Sequence, residues 1–282
     1  MNSPAPAPRV RILEGDNLPL LQAMPDACAD LIYIDPPFNT GRDQTHTRLR
    51  STRDPNGEQA GFRGSRYRNV PISSKSFADA FDDFCGFLEP RLVEARRLLS
   101  PTGTFFLHID CRESHYCKVL LDHIFGRASF LNEIIWAYDY GARTKTRWPA
   151  KHDTLLCYVA DPKRYTFNYD AMDRIPYMAP GLAGKAKAAR GKTPTDVWWH
   201  TIVPTTGPER TGYPTQKPLG VLHRVVAVHS NPGDHVLDFF AGSGTTGEAA
   251  ARLGRHATLI DANPDAIAVM SKRLASYAPL RG

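Results

Sequence analysis

Short apolar runs alternate with longer segments of helical periodicity along most of the chain. Apolar residues recur at helical spacing over residues 87–99, and the Ser-Pro-Thr-Gly sequence that follows ends the pattern. The same spacing recurs over residues 219–228, after a proline. Seven runs of β-branched, aromatic and other apolar residues predict strands at 10–13, 31–34, 103–107, 134–136, 155–159, 236–239 and 257–260. Strands that alternate with helices are typical of a sheet covered on both faces. We therefore predict an α/β fold with a mostly parallel, seven-stranded sheet.

Two long polar segments lack this periodicity. Residues 42–76 contain seven arginines, and residues 161–196 are rich in glycine, alanine and lysine. Long loops in compact domains are usually either functional or disordered. Neither segment is long enough for a domain of its own, so we predict one domain over residues 1–282 with an arginine-rich loop at 42–76 and an insertion at 161–196. The alternating prolines of residues 1–8 predict a short disordered tail and no secretory signal.

Charge and cysteine content narrow the class of protein. A net charge of +6 and an isoelectric point near 9.1 favour a polyanionic partner, although a mildly basic surface does not decide this alone. The five cysteines are odd in number and form no C-x-x-C pair, which argues against a disulfide framework and against a structural metal site. No run approaches the ~20 apolar residues that span a bilayer. We expect a cytoplasmic protein with no metal and no membrane partner.

The tetrapeptide Asp35-Pro36-Pro37-Phe38 directly follows the second predicted strand. Ligand sites of open α/β sheets lie beyond the carboxyl ends of strands, so this tetrapeptide is expected to face a cleft. Its prolines lack N–H donors and leave carbonyl acceptors. A carboxylate and a carbonyl together accept both protons of an amino group, and an adjacent aromatic ring stacks on a planar base. The alternative is a proline turn that only ends the strand.

Two further motifs occur late in the chain. Residues 238–246 place Gly242 and Gly244 between a strand and a helix, where close backbone approach and free N–H groups favour a ligand anion. Asp261 closes the next strand, where a carboxylate can bind ribose hydroxyls. This arrangement indicates a nucleoside cofactor. This motif alone does not exclude the alternative that the protein is a dinucleotide-dependent dehydrogenase. Residues 213–218, Tyr-Pro-Thr-Gln-Lys-Pro, alone indicate only a helix entry.

In this order, the three motifs resemble the amino-directed DNA methyltransferases of the N6-adenine/N4-cytosine family over roughly residues 10–274. Hallmarks of that family are D/N/S-P-P-Y/F, the F-x-G-x-G cofactor loop and T-x-K-P. Because the tetrapeptide precedes the cofactor loop, the chain is similar to the circularly permuted beta class. The resemblance implies the Rossmann-like methyltransferase fold with permuted motif order, and S-adenosylmethionine as the cofactor.

The resemblance also implies roles for individual residues. The catalytic group is Asp35, Pro36, Pro37 and Phe38. The cofactor group is Asp16, Asp35, Thr215, Lys217, Asp238, Phe240, Gly242, Ser243, Gly244, Thr245 and Asp261. Within that group, the glycine loop lines the methionine end, Asp261 holds the ribose and Asp16 lies near the adenine. Phe239 departs from the proline that usually follows the strand aspartate.

The implied reaction is methyl transfer to the exocyclic amino group of a base extruded from double-stranded DNA. Adenine N6 is favoured, and cytosine N4 is the alternative because it offers the same amino group. RNA methylation and a catalytically silent DNA-binding protein are more distant alternatives. Arg42, Arg63, Arg66 and Arg68 follow the tetrapeptide and are predicted DNA contacts, against the alternative of a solvated insertion with no role.

Other features give weaker indications. Residues 161–196 are predicted to be a target-recognition insertion. A homodimer, a cognate restriction endonuclease and association with the nucleoid are further predictions. His108 and Asp110 follow a predicted strand, and a satisfied, partly buried histidine is the common explanation for such a position. Trp136, Tyr138, Trp198 and Trp199 are typical core aromatics, with Trp136 favoured as a base contact because the family has an aromatic there.

Overall fold

The computed structural model describes residues 8–39, 44–53, 59–60, 66–77, 81, 83–139 and 143–281. The strands are β1 (Val10–Glu14), β2 (Ala29–Ile34), β3 (Gln44–Arg53), β4 (Gln59–Ala60), β5 (Arg66–Phe77), β6 (Leu99–Ile109), β7 (Phe130–Ala137), β8 (His152–Val159), β9 (Val197–Trp199), β10 (His235–Asp238), β11 (His256–Asp261) and β12 (Leu280–Arg281). The helices are α1 (Asn17–Gln22), α2 (Phe84–Leu98), α3 (Ser114–Phe125), α4 (Pro180–Ala183), α5 (Lys185–Arg190), α6 (Leu219–His229), α7 (Thr245–Arg252) and α8 (Pro264–Arg273). No helix among these residues is both long enough and apolar enough to cross a membrane.

The main sheet has the strand order β12-β1-β11-β10-β2-β6-β8-β7-β9. Strands β12 to β6 are parallel, β8 is antiparallel to both of its neighbours, and β9 is parallel to β7. The α/β prediction is confirmed, and each of the seven predicted strands is present.

The predicted number of strands was wrong, because the described sheet has nine strands. The additional strands, β9 and β12, have three and two residues and lie at the two edges. Segments this short show no measurable periodicity. They are extended because each pairs with a longer strand, as in the registers Trp136↔Trp198 and Arg11↔Leu280.

Strand β2 is buried on both faces by helices. Ile32 and Ile34 pack in one core with α1, α2 and α3, whereas Leu31 and Tyr33 pack in a second core with α6 and α7. All four side chains are almost completely inaccessible to solvent. Burial on both faces explains why this segment is a continuous apolar run without alternation. A shift in register would move Asp35, the next residue, away from the sheet edge.

Strand β10 lies directly beside β2, with the register Val236↔Leu31 and Leu237↔Ile32. The two strands are parallel, so the segments that follow them leave the same edge of the sheet. The neighbour of β10 on its other side is β11, and that of β2 is β6, so the two segments diverge. A crevice opens at such a reversal of strand order.

The prediction of an unstructured loop at 42–76 was wrong for much of its length. Strands β3 and β5 pair antiparallel from Gln44↔Phe77 to Arg53↔Tyr67, and β4 pairs with β5. Antiparallel pairing satisfies backbone donors and acceptors without an apolar core. The many threonines of β3 also favour extended backbone. Arg66 and Arg68 lie in β5, whereas Arg42 and Arg63, like residues 1–7 of the predicted tail, lie outside the described residues.

Residues 161–196 are largely irregular, as expected. They contain only the short helices α4 and α5, one turn of 3-10 helix at Tyr169–Ala171 and a bridge between Ile175 and Lys192. The segment begins at the end of the sheet opposite the crevice, where Thr166 N–H donates to the Thr102 carbonyl at 3.0 Å. It ends in β9, which runs back toward the crevice edge beside β7.

The packing of α2 against β2 and β6 makes a stability prediction. Leu88 is fully buried in the first core, whereas Val93 of the same helix is half exposed. Leu88→Ala is expected to lower the free energy of unfolding by about 2–5 kcal/mol because it removes buried methyl groups and leaves a cavity. Val93→Ala, the matched control, is expected to change it by less than about 0.5 kcal/mol. Urea unfolding followed by circular dichroism measures both, and equal effects would contradict this placement of α2.

Candidate active site

A cleft of about 690 Å³ occupies the crevice at the carboxyl ends of β2, β10 and β11. This volume is typical of sites for cofactors and other small molecules. The cleft wall contains every predicted catalytic residue and every predicted cofactor residue except Gly244. The structure therefore brings together side chains from both ends of the sequence.

Asp238 ends β10 and supports the glycine loop from within the protein. Its carboxylate accepts hydrogen bonds from Phe240 N–H at 3.0 Å and from the Thr246 hydroxyl at 2.6 Å. Burial raises the pKa of Asp238 to about 7, although both hydrogen bonds lower it. Since each of its oxygens already has a partner in the loop, Asp238 acts on the shape of the cleft wall.

Two glycines give the loop its path. Gly242 has φ +49° and Gly244 has φ +74°, the left-handed region that favours glycine. A Cβ at Gly244 would lie 2.8 Å from Cγ of Met270 in α8, and one at Gly242 would lie 3.2 Å from the ring of Tyr213. The sequence predicts these glycines because a backbone without side chains can approach a ligand closely. The structure adds a second reason, since the left-handed backbone and the neighbouring protein atoms also disfavour a Cβ at each position.

Asp261 joins the end of β11 to the same loop. One of its oxygens accepts from Gly242 N–H and the other from Asn263 N–H, each at 2.8 Å. Burial raises the pKa of Asp261, and these backbone hydrogen bonds oppose the rise. The carboxylate lies in the cleft wall with lone pairs left for further donors.

The hydroxyl groups of Ser243 and Thr245 are held from behind the cleft by Arg273 of α8. Its guanidinium donates to the Thr245 hydroxyl at 2.8 Å and pairs with Glu248 of α7. Thr245 in turn donates to the Lys217 carbonyl at 3.1 Å, which ties the loop to the segment before α6. Sequence reasoning missed Arg273, because an arginine near a helix C terminus has the pattern of an ordinary solvated residue.

The segment before α6 is fixed in an unusual backbone conformation. Thr215 has φ +56°, a region that β-branched residues rarely adopt. The next side chain, Gln216, holds the turn: its oxygen accepts from Thr211 N–H at 2.8 Å and its amide donates to the Glu209 carbonyl at 2.7 Å. This turn places Lys217 against the catalytic tetrapeptide.

Lys217 and Asp35 form an ion pair with an Nζ–Oδ2 distance of 2.5 Å. Their side chains are only 10% and 17% exposed, and the ammonium also lies 4.7 Å from the centre of the Phe38 ring. Asp35 Oδ1 is buried and has no hydrogen-bond partner among the described residues. The carboxylate thus has one oxygen bound to a cation and one buried acceptor left over. The resemblance placed Lys217 near the methionine end of the cofactor, and the structure places its ammonium on Asp35.

A chain of hydrogen bonds lies beneath Phe38. The Tyr33 hydroxyl and His108 Nδ1 are 2.6 Å apart, His108 Nε2 lies 3.1 Å from Asp153, and the Tyr138 hydroxyl donates to Asp153 at 3.0 Å. Burial raises the pKa of Tyr33 and of Tyr138, which keeps both phenols protonated. Burial alone would raise the pKa of Asp153, but the hydrogen bond and charge of His108 lower it. This carboxylate therefore stays ionised.

His108 has hydrogen-bond partners at both ring nitrogens, and it is completely buried where the sequence predicted partial burial. Its ring centre lies 5.8 Å from that of Phe38 and 5.5 Å from that of Trp136. Sequence reasoning missed Asp153 because it begins a strand. It reaches His108 only because β8 is antiparallel, so that the first residues of β8 meet the last residues of β6.

Of the remaining predicted residues, Asp16 lies in the cleft wall and the others lie outside it. Asp16 caps α1, accepting from Leu18 N–H at 3.2 Å, and pairs with Arg91 at 3.1 Å. Asp110 pairs with Arg112 at the entry to α3. Trp136 is only 2% exposed and donates to the His200 carbonyl at 2.7 Å, which makes it a support behind the cleft. Trp198 lies in a separate cavity beside α6, and Trp199 is exposed on β9.

Comparisons with known proteins agree with this geometry. The N6/N4 methyltransferase family model, described as DNA methylase, matches residues 29–272. The type II methyltransferase M.HpaI of Haemophilus parainfluenzae is 29% identical over 94% of this chain and 74% of its own length. The DNA adenine methyltransferase YhdJ of Escherichia coli is 28% identical over 93% of this chain and 82% of its own. The structure of an M1.HpyAVI–SAM complex, 20% identical, has the same fold with a TM-score of 0.60, over 94% of this chain and 98% of its own.

The family match covers most of the chain, and it includes the Asp35 tetrapeptide, the glycine loop and the segment that carries Lys217. The chain therefore belongs to the DNA methylase family, whose members are S-adenosylmethionine-dependent enzymes that methylate exocyclic amino groups of DNA bases.

Proposed function

We propose that the cleft methylates N6 of an adenine extruded from double-stranded DNA, with N4 of cytosine as the alternative target. The observation that carries the proposal is the state of Asp35, which has one oxygen paired with Lys217 and one buried oxygen free to accept a hydrogen bond. An exocyclic amino group supplies such a donor. The name of YhdJ, a DNA adenine methyltransferase, supports adenine.

The residues around the cleft fit S-adenosylmethionine. Phe240, Gly242, Ser243 and Thr245 line the proposed methionine end, with Thr215 and Lys217 nearby. Asp261 is positioned for the ribose hydroxyls and Asp16 for the adenine edge. S-adenosylmethionine supplies an electrophilic methyl group on a sulfonium sulfur. Asp35, Asp238 and Asp261 all lie in this wall, which suits a ligand that carries positive charge.

The tetrapeptide performs the chemistry on the base. Phe38 stacks on the extruded base. The amino group of the base donates one hydrogen bond to the Asp35 carboxylate and one to the Pro36 carbonyl. These hydrogen bonds draw the nitrogen toward tetrahedral geometry and release its lone pair from the ring. Positive charge then develops on the nitrogen beside the Asp35 carboxylate, which stabilises it and accepts the departing proton.

Lys217 is proposed as a positioning residue for Asp35. An ammonium on one carboxylate oxygen fixes the side-chain rotamer and leaves the other oxygen for the base. The ion pair also offsets the cost of holding a carboxylate away from water. Among the described residues, Lys217 is the cation paired with Asp35, so this contact is proposed to control the orientation of the carboxylate.

Duplex DNA is proposed to approach over the hairpin of β3 and β5. This excursion starts and ends beside the tetrapeptide, because the side chain of Asn39 accepts from Phe81 N–H at 2.9 Å and donates to Glu113 at 2.8 Å. Arg42, Arg63, Arg66 and Arg68 belong to it and are the proposed phosphate contacts. Residues 161–196 are proposed to read the target sequence near the end that returns as β9.

The biological setting is proposed from the relatives. M.HpaI is named a type II methyltransferase, which supports a cognate restriction endonuclease as a partner. A homodimer, a single-domain organisation and a cytoplasmic, nucleoid-associated localisation stay predictions from the sequence.

Asp35→Asn tests the catalytic carboxylate with little change of shape. We expect the methylation rate to fall by roughly 100- to 1,000-fold, since a neutral amide stabilises the developing charge poorly. Binding of S-adenosylmethionine, measured by calorimetry, is expected to stay close to wild type. Transfer of a labelled methyl group to DNA measures the rate. Parallel loss of cofactor binding and methylation would show that Asp35 acts on the cofactor site instead.

Lys217→Gln tests the positioning role, with Lys217→Arg as the variant that keeps the cation. We expect the glutamine variant to lower kcat, because the Asp35 carboxylate loses its fixed orientation. KM for DNA is expected to change little, because the change is confined to the cleft. The arginine variant is expected to restore part of the rate. A glutamine variant with wild-type kcat, or one that fails only in KM for S-adenosylmethionine, would return Lys217 to a cofactor role.

The hairpin is tested with a triple variant, Arg63→Ala, Arg66→Ala and Arg68→Ala. Each lost phosphate contact lowers the slope of log affinity against log salt by about 0.9. We expect weaker and less salt-dependent binding to duplex DNA by fluorescence anisotropy, with unchanged affinity for S-adenosylmethionine. A wild-type slope in the triple variant would remove the hairpin from the DNA surface.

A further inference from the structure

The connection between β7 and β8 carries an exposed basic and aromatic cluster that none of the motifs above includes. Residues 143–151, called here the Trp148 loop, have the sequence Arg-Thr-Lys-Thr-Arg-Trp-Pro-Ala-Lys and contain no acidic residue. Arg143, Lys145 and Arg147 are exposed, and Trp148 is 94% exposed. Single exposed apolar residues are common, so the cluster gains meaning only from its position.

The position of the Trp148 loop is fixed by the network beneath the cleft. Its end is held by Tyr138 N–H, which donates to the Lys151 carbonyl at 2.9 Å. The Tyr138 hydroxyl bonds Asp153, Asp153 bonds His108, and the His108 ring lies 5.8 Å from Phe38. The loop therefore leaves the protein at the edge of the sheet that carries Phe38, where an extruded base would enter.

The chemistry of the loop matches nucleic acid. Arg143, Lys145 and Arg147 place three exposed cations within five residues, and such cations are attracted to the phosphates of nucleic acid. An indole ring next to them has a face on which any base stacks, whatever the sequence. Apolar wedges of this kind also separate base steps where a duplex is opened.

We propose that the Trp148 loop binds duplex DNA beside the extruded nucleotide. Its three cations contact phosphates, and Trp148 stacks on the base surface that is exposed when the target leaves the helix. The inference rests on the proposed function, since it takes DNA as the substrate and Phe38 as the contact of the target base. The hairpin of β3 and β5 would then hold the duplex from a second segment of the cleft margin.

The cations are tested by the triple variant Arg143→Ala, Lys145→Ala and Arg147→Ala. A matched control removes Arg9, Arg127 and Arg252, three exposed cations at the opposite end of the sheet, before β1, before β7 and at the end of α7. Anisotropy of a labelled duplex is measured over a range of salt concentrations. We expect the slope of log affinity against log salt to fall by about 0.9 per contact, up to about 2.7, in the first triple variant only. A wild-type slope in that variant, or the same fall in the control, overturns the proposal.

Trp148 is tested by replacement with alanine and with phenylalanine. We expect KM for unmethylated plasmid DNA to rise about fivefold or more in Trp148→Ala, the equivalent of one lost stacking contact, and to recover partly in Trp148→Phe. Leu280→Ala, which removes an exposed apolar side chain from edge strand β12 on the far side of the sheet, is the control and is expected to leave KM unchanged. DNA is also expected to quench tryptophan emission of the wild type more strongly than that of Trp148→Phe.

Different results would contradict the proposed function and the proposed role of the Trp148 loop. If wild-type protein transfers no labelled methyl group to DNA, the proposed function fails while the binding slopes still report on the loop. If wild-type protein methylates DNA and all Trp148 loop variants match it in slope, KM and emission, only the loop assignment fails.

Discussion

The parallel pairing of β2 with β10 is the constraint on which the rest of the site depends. It sets an early segment of the chain beside a late one, so that Asp35 and Asp238 leave the same edge of the sheet. The order of the motifs in the sequence is thereby uncoupled from their order in space. The late glycine loop and the early Asp35 tetrapeptide form one cleft because the central strands are buried on both faces and cannot exchange register.

Electrostatics in the cleft follow from that pairing. Three carboxylates, from Asp35, Asp238 and Asp261, converge where the strands end, and burial raises the pKa of the last two. The three carboxylates differ in their hydrogen-bond and ion-pair partners. Asp238 and Asp261 each bind backbone N–H groups of the loops around the cleft, whereas Asp35 has a lysine on one side and an unoccupied acceptor on the other. Only the last arrangement leaves a buried carboxylate incomplete, and an incomplete buried acceptor is costly unless a substrate completes it.

How much of this the sequence predicts depends on whether the signal is local. The tetrapeptide, the glycine loop and the central strands have strong local patterns, and they are found where expected. Strands β9 and β12 have no such pattern, because pairing with neighbours makes them extended. The roles of Arg273 and Asp153 and the pairing of Lys217 with Asp35 could not be predicted from the sequence either. Each depends on a contact between residues that are far apart in the chain, and local periodicity contains no information about such contacts.

The direction of strand β8 decides which residues lie at the cleft end of the sheet. In a wholly parallel sheet, Asp153 would begin its strand at the edge remote from the cleft, and the connection before it would lie there too. The antiparallel insertion of β8 between β6 and β7 reverses this, so that Asp153 meets His108 and the Trp148 loop leaves from the edge of the sheet at which the cleft lies. The same reversal gives His108 its second partner, which fixes the ring on which Phe38 rests. The hydrogen-bonded histidine beside Phe38 and the position of the basic loop therefore have a single structural cause, the direction of one strand.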